Sequence, residues 1–79
     1  MLASNAERLS EVIRAVLELP PDTDVSEIHQ ESLPAWDSLA HVVLIGAIES
    51  EFGLAVEAGE SMDLTSYLRI ASFLESRGL

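Results

Sequence analysis

The chain contains no cysteine, so it has no disulfide, no thiolate metal site and no cysteine nucleophile, and it is consistent with a reducing cytoplasm. It also has no lysine. Four arginines stand against fourteen Asp and Glu residues, for a net charge of -10. That balance argues against nucleic acid binding, which relies on neutralising phosphates, and it repels anionic membrane surfaces. A basic protein partner suits it better, because opposite fields speed encounter, although the same acids also keep a small domain soluble and monomeric. No apolar run approaches the roughly 18–20 residues needed to span a bilayer. The N-terminus lacks the basic start and apolar stretch of a signal peptide, which points to the cytoplasm unless the domain is cut from a longer chain. No glycine-rich loop is present to form an oxyanion hole. The histidines, His29 and His41, are too few and too differently placed for a metal site.

What remains fits one domain over residues 1–79. A domain of that size buries only roughly 60–65% of its unfolded surface and is marginally stable. Periodicity predicts a first helix over about Ser4 to Leu19, with Ser4 and Glu7 as a capping box. Its apolar stripe is Leu9, Val12, Ile13, Val16 and Leu17, and Pro20-Pro21 stops it. Asp22 to Ala35 is acidic and aperiodic, a long loop pinned by Val25, Ile28 and Leu33. Loops of that length in small domains are often functional. A second helix is expected from Ser38 to Phe52, with Gly53 as its stop. Val56 to Met62 reads as one or two helical turns. Thr65 is a plausible cap for a last helix over Ser66 to Arg77, whose core face is Tyr67, Ile70, Ala71 and Leu74, flanked by Phe73 and followed by Gly78. No alternating strand pattern or internal repeat is present. The fold class is all-α, a small bundle around one core.

The most informative stretch is Pro34-Ala35-Trp36-Asp37-Ser38-Leu39, which runs straight into His41-Val42-Val43-Leu44-Ile45. Asp37 is a good N-cap, since its carboxylate can accept hydrogen bonds from free amides of the first turn. Ser38 then stands at the positive end of the helix dipole, where an anionic group is held well, so its hydroxyl looks like an attachment point for a phosphate ester. On a helical wheel His41, Leu44, Ile45, Ile48 and Phe52 share one side, while Leu39, Val42, Val43 and Gly46 share the opposite one. One stripe suffices to bind a helix to a core. A second implies a partner or complete burial. Leu39, Val42 and Val43 are therefore a candidate contact surface beside Ser38, unless the long loop folds over them.

Other chemistries fit less well. A calcium loop opening at Asp22 needs glycine at its sixth position and glutamate at its twelfth, where this chain has Glu27 and Leu33. Ser38, His41 and Asp37 include the residue types of a catalytic triad, but Asp37 serves as the cap and no strained nucleophile elbow surrounds the serine. His41 reads as a packed or edge histidine, with contact to a phosphate on Ser38 as the functional alternative. Trp36 reads as a loop anchor or hydrophobic staple, or as a neighbour of whatever Ser38 carries.

These residues resemble the acyl and peptidyl carrier protein family. The family's motif is Asp-Ser-Leu at the start of the second helix, here Asp37-Ser38-Leu39. The likeness continues through Glu49-Ser50-Glu51-Phe52-Gly53, Val56, Leu64-Thr65 and the last helix, and the first helix has the right length and position. The resemblance implies a four-helix bundle with a long first loop and a short third helix between about Glu57 and Met62. It implies that a phosphopantetheinyl transferase, using coenzyme A, attaches phosphopantetheine to Ser38, with Asp37, Leu39, His41, Val42, Val43 and Trp36 in supporting or docking positions. The partners would be that transferase and the enzymes that load and process acyl or aminoacyl groups held as thioesters. The chain itself would be a monomeric cytoplasmic carrier and not an enzyme. Met1 lies close to the first helix, the expectation for a free-standing carrier.

Housekeeping fatty-acid carriers usually place several acids along the front half of this helix. Ala40, His41 and Val43 are uncharged here, and acids return only at Glu49 and Glu51. Leu33-Pro34-Ala35-Trp36 also resembles carriers of specialised pathways. The reading is therefore a carrier of polyketide, peptide or other specialised biosynthesis. The alternatives are a housekeeping fatty-acid carrier and an unmodified acidic interaction module.

Overall fold

The computed structural model describes residues 1–79 and holds four helices: α1 over Ala3–Val16, α2 over Ser38–Phe52, α3 over Ala58–Ser61 and α4 over Tyr67–Ser76. There is no strand, and the all-α bundle with a long first loop and a short third helix is the observed architecture. Eleven buried apolar residues form its core, drawn from α1, α2, α4 and the segments that lead into α2 and α4.

α1 buries Leu9 and Ile13 completely, as the stripe predicts. Its ends differ from expectation. Ser4 lies inside the helix, which starts one residue earlier with Leu2 as an N-cap that offers no side-chain bond, so the Ser4–Glu7 capping box does not form. The helix stops at Val16 instead of Leu19. Glu18 takes a left-handed φ of 55°, and the Leu19 amide donates back to the Arg14 carbonyl at 2.8 Å. This is a helix-terminating turn. Pro20 disfavours helical backbone at Leu19, so the end falls before the proline and not at it. Leu17 still reaches the core from the turn.

The long loop is tied down at several points. Val25 is buried, and Ile28 and Leu33 pack against the core from a half-buried position. Arg14 donates from Nε to the Thr23 carbonyl at 2.7 Å. A 3-10 turn covers Gln30–Ser32. Beside it His29 makes an isolated bridge to Ser66, in which the Gln30 amide donates to the Thr65 carbonyl at 2.8 Å and the Tyr67 amide to the Ile28 carbonyl at 3.2 Å. That pairing satisfies loop backbone that would otherwise need water. It also sets the start of α4. Ser66, not Thr65, is the cap, its hydroxyl accepting from the Arg69 amide at 3.1 Å. α4 ends at Ser76, one residue short of expectation, and Gly78 supplies the left-handed stop at φ 85°.

α2 has the bounds its sequence predicts. Gly53 ends it with φ 65°. Arg8 of α1 secures that far end: its Nε donates to the Glu51 carboxylate at 2.9 Å, its guanidinium also reaches the Glu51 carbonyl, and its plane lies 4.8 Å from the centre of the Phe52 ring. α3 is a single turn that buries nothing. The Glu57 amide donates to the Glu60 carboxylate at 3.1 Å, and Arg77, just past the end of α4, pairs with the same carboxylate.

Candidate functional site

Ser38 is the first residue of α2 and is exposed. Just before it, the Asp37 carboxylate accepts from the Ala40 amide at 2.8 Å, and the Asp37 carbonyl accepts from the His41 amide at 2.9 Å. The cap thus takes up the third and fourth amides of the helix. The amides of Ser38 and Leu39 have no acceptor within the helix by their position. The result is an accessible hydroxyl beside free donors at the positive end of a 15-residue helix dipole. Those donors suit an anionic ester on that oxygen.

The opposite stripe of α2 is open to solvent. Leu39 is 75% exposed, Val42 69% and Val43 53%. The long loop does not fold over them, so that reading of the second stripe is excluded. Met62, just past α3, is exposed as well. Gly46 adds bare backbone to the same stripe, and a Cβ there would meet nothing within 4 Å. Burying a Leu or Val side chain is worth about 1.5–3 kcal/mol. Leaving three of them bare beside Ser38 gives up stabilisation that only another surface can return. Along one flank runs an open groove of about 390 Å³ whose lining includes Val16, Leu17, Leu39 and Val43. A larger polar hollow of about 540 Å³, between His29, Glu31, Thr65 and Arg69, shares no residue with this end of the molecule.

Two residues expected beside Ser38 face inward. Trp36 is 1% exposed and belongs to the core. Its place is that of an anchor for the end of the loop, and it offers a docking partner no surface. Its indole Nε1 donates to His41 Nδ1 at 3.0 Å, and the two rings stack 5.9 Å apart. An indole N–H only donates, so Nδ1 of His41 is the accepting nitrogen. The proton of the neutral ring is therefore on Nε2, which lies 2.8 Å from the Ser61 carbonyl and donates to it. Both imidazole nitrogens are thus engaged within the bundle. His41 has no nitrogen left to act as a base for Ser38 or to touch a phosphate on it. The link to Ser61 spans twenty residues of sequence, and no local pattern announces it.

No protein-family model matches the chain. The chain is similar to acyl carrier protein 3, chloroplastic, of Cuphea lanceolata, with 29% identity over 68 residues, covering 86% of this chain and 48% of that protein. It spans about half the length of the curated relative it matches. This similarity, together with the helical bundle and the exposed serine at the head of α2, supports the acyl carrier protein family.

Proposed function

We propose that this protein is an acyl or aminoacyl carrier, a monomer of the cytoplasm that serves polyketide, peptide or other specialised biosynthesis and is not itself an enzyme. The observation that carries the reading is the exposed Ser38 hydroxyl at the head of α2, directly behind the Asp37 cap. A phosphopantetheine group derived from coenzyme A fits there. The oxygen is accessible, free amides and the helix dipole favour the anionic linkage, and the neighbouring side chains leave the approach open. When bound, that group supplies a thiol that holds cargo as a thioester on a flexible arm, raising its effective concentration at a docked enzyme.

The chain's own residues do the rest. Asp37 fixes the first turn. Leu39, Val42 and Val43 present an apolar contact face to the phosphopantetheinyl transferase and to loading and processing enzymes in turn. A patch this small favours brief encounters over a permanent complex. The net charge of -10 on the whole chain draws basic partner surfaces toward the molecule. The uncharged front of α2 favours a specialised pathway over housekeeping fatty-acid synthesis.

The test is to incubate the protein with coenzyme A, magnesium and a broad-range phosphopantetheinyl transferase, and to record intact masses. One phosphopantetheine adduct is expected, mapped to Ser38 and absent from Ser38→Ala. Modification of Ser38→Ala would overturn the assignment. No adduct on folded protein with several transferases would favour the second reading, an unmodified module that uses the bare apolar stripe of α2 to bind a partner helix.

A further inference from the structure

α3 is held in place by unusually little. It has four residues, none buried, and so no apolar contact of the kind that fixes the other helices. Its ties to the rest of the bundle are polar. One is the pair between Glu60 and Arg77, just past the end of α4, at 3.1 Å. The other is the hydrogen bond from His41 Nε2 of α2 to the Ser61 carbonyl at 2.8 Å, with the Ser61 hydroxyl a further 3.4 Å contact of the same nitrogen; the same carbonyl also accepts, at 3.2 Å, from the amide of Leu64, the core residue that follows the helix. The ring that makes the second tie is held from behind by the Trp36 indole at the end of the long loop.

From this chain of contacts we propose that His41 is an acid-released clamp on α3, closed in the neutral Nε2–H tautomer and opened when the imidazole takes a second proton. In the neutral ring one nitrogen accepts from Trp36 and the other donates to Ser61. Protonation adds a proton to Nδ1, so two N–H groups then face each other across 3.0 Å. The contact turns from bond to repulsion, and the indole N–H, in a side chain 1% exposed, loses its acceptor. A buried donor without a partner is costly, so the ring must move. Movement of the ring carries its Nε2 away from the carbonyl it holds.

The charged groups on the elements around His41 are Asp37, Glu49 and Glu51 at the two ends of α2, Glu57, Glu60 and Asp63 on and beside α3, Arg69 and Glu75 of α4, and Arg77 just past it. Asp37 is spent on the Ala40 amide, and Glu60 on the Glu57 amide and Arg77. None of the bundle's ion pairs includes the imidazole, so no carboxylate stands ready to hold the charged ring in place. The Glu60–Arg77 tie persists through the range in which imidazoles charge, because the carboxyl of Glu60 is held below its ordinary value, chiefly by the Glu57 amide. The opened element ends at Met62, itself exposed, on the side of α2 that carries His41.

The inference concerns α3 itself and is tested without coenzyme A or any change at Ser38. Nuclear magnetic resonance on the full chain would follow the two imidazoles, the Trp36 indole proton and amide protection from about pH 8 to about pH 5.5. His29→Gln, which removes the other imidazole, assigns the His41 signals. The expected result is that the indole proton leaves its hydrogen-bonded position along the same titration curve as the His41 ring. The protection factors of the Ser61 and Met62 amides, corrected for intrinsic exchange, should fall about tenfold while those of Leu44 and Ile48 hold. In His41→Gln, an amide that can accept and donate but does not titrate, both signals should stay flat. Wild-type indole and α3 signals that do not move while the His41 ring titrates would overturn the proposal. So would a ring that stays neutral to the end of the range, or a pH response in His41→Gln equal to wild type.

Discussion

At the scale of single residues, Asp37 and Ser38 divide two tasks that one serine often combines. The carboxylate closes the helix, which leaves the neighbouring hydroxyl without a structural duty. Asp37→Ala should therefore cost about 1 kcal/mol, read as a lower midpoint in urea denaturation, and Asp37→Ser should recover most of it. Ser38→Ala should leave the midpoint within about 0.5 kcal/mol of wild type, as expected of an exposed residue away from caps and core. A large loss in Ser38→Ala would mean that the hydroxyl caps the helix after all. Gly46 is a residue of another sort. It sits mid-helix, where alanine is favoured by roughly 1 kcal/mol, and a methyl would meet nothing there. Gly46→Ala should raise the urea midpoint accordingly, and no change would point to a backbone requirement that the open space around it does not reveal.

At the scale of elements, α2 was the most legible from sequence because both of its ends carry their own signal. Asp37 can only cap a helix that follows it, and Gly53 supplies a left-handed turn at no steric cost. Its two apolar stripes were equally plain, and they separate in the structure. Leu44→Ala, at a fully buried position, should cost about 2–5 kcal/mol, enough to unfold much of a marginal domain. Leu39→Ser and Val42→Thr should leave thermal unfolding nearly unchanged while slowing modification by a transferase. If they unfold the protein instead, the stripe is a structural one. The end of α1 was less legible. Leu17 and Leu19 extend the apolar period, yet the chain has already turned at Glu18, a residue with no preference for a left-handed backbone. The cap of α4 shifted by one residue because Thr65 and Ser66 both qualify, and the bridge to the loop at His29 chooses between them. Of the site, Ser38 and its apolar neighbours followed from local pattern. The inward turn of Trp36 and the reach of His41 to Ser61 did not, because long-range contacts leave no period to read.

At the scale of the whole molecule, ten net negative charges on 79 residues repel one another. Raising ionic strength from about 0.01 M to about 0.15 M shortens the screening length and should raise the melting temperature. An unchanged midpoint would show that repulsion does not limit stability. Acid acts locally as well. Asp24 is held below its ordinary value first by the Ser26 hydroxyl and then by the Ser26 amide, with hydrogen bonds of 2.7 and 2.9 Å. A carboxylate depressed in the folded state contributes its stabilisation fully above its unfolded value, near pH 4, and that contribution fades as pH falls through the lower folded value. Ser26→Ala should move the Asp24 titration back up toward the ordinary range, as carboxyl carbon shifts would report. The two ends of α2 also bear on how cargo would travel. Arg8 grips the rear at Glu51 and Phe52, and the buried Trp36 roots the front two residues before Ser38. A beam anchored at both ends makes its leading serine a fixed pivot. Any arm hung there would sweep a volume centred on that serine, so its reach into an enzyme would be set by the length of the arm and the angle of docking.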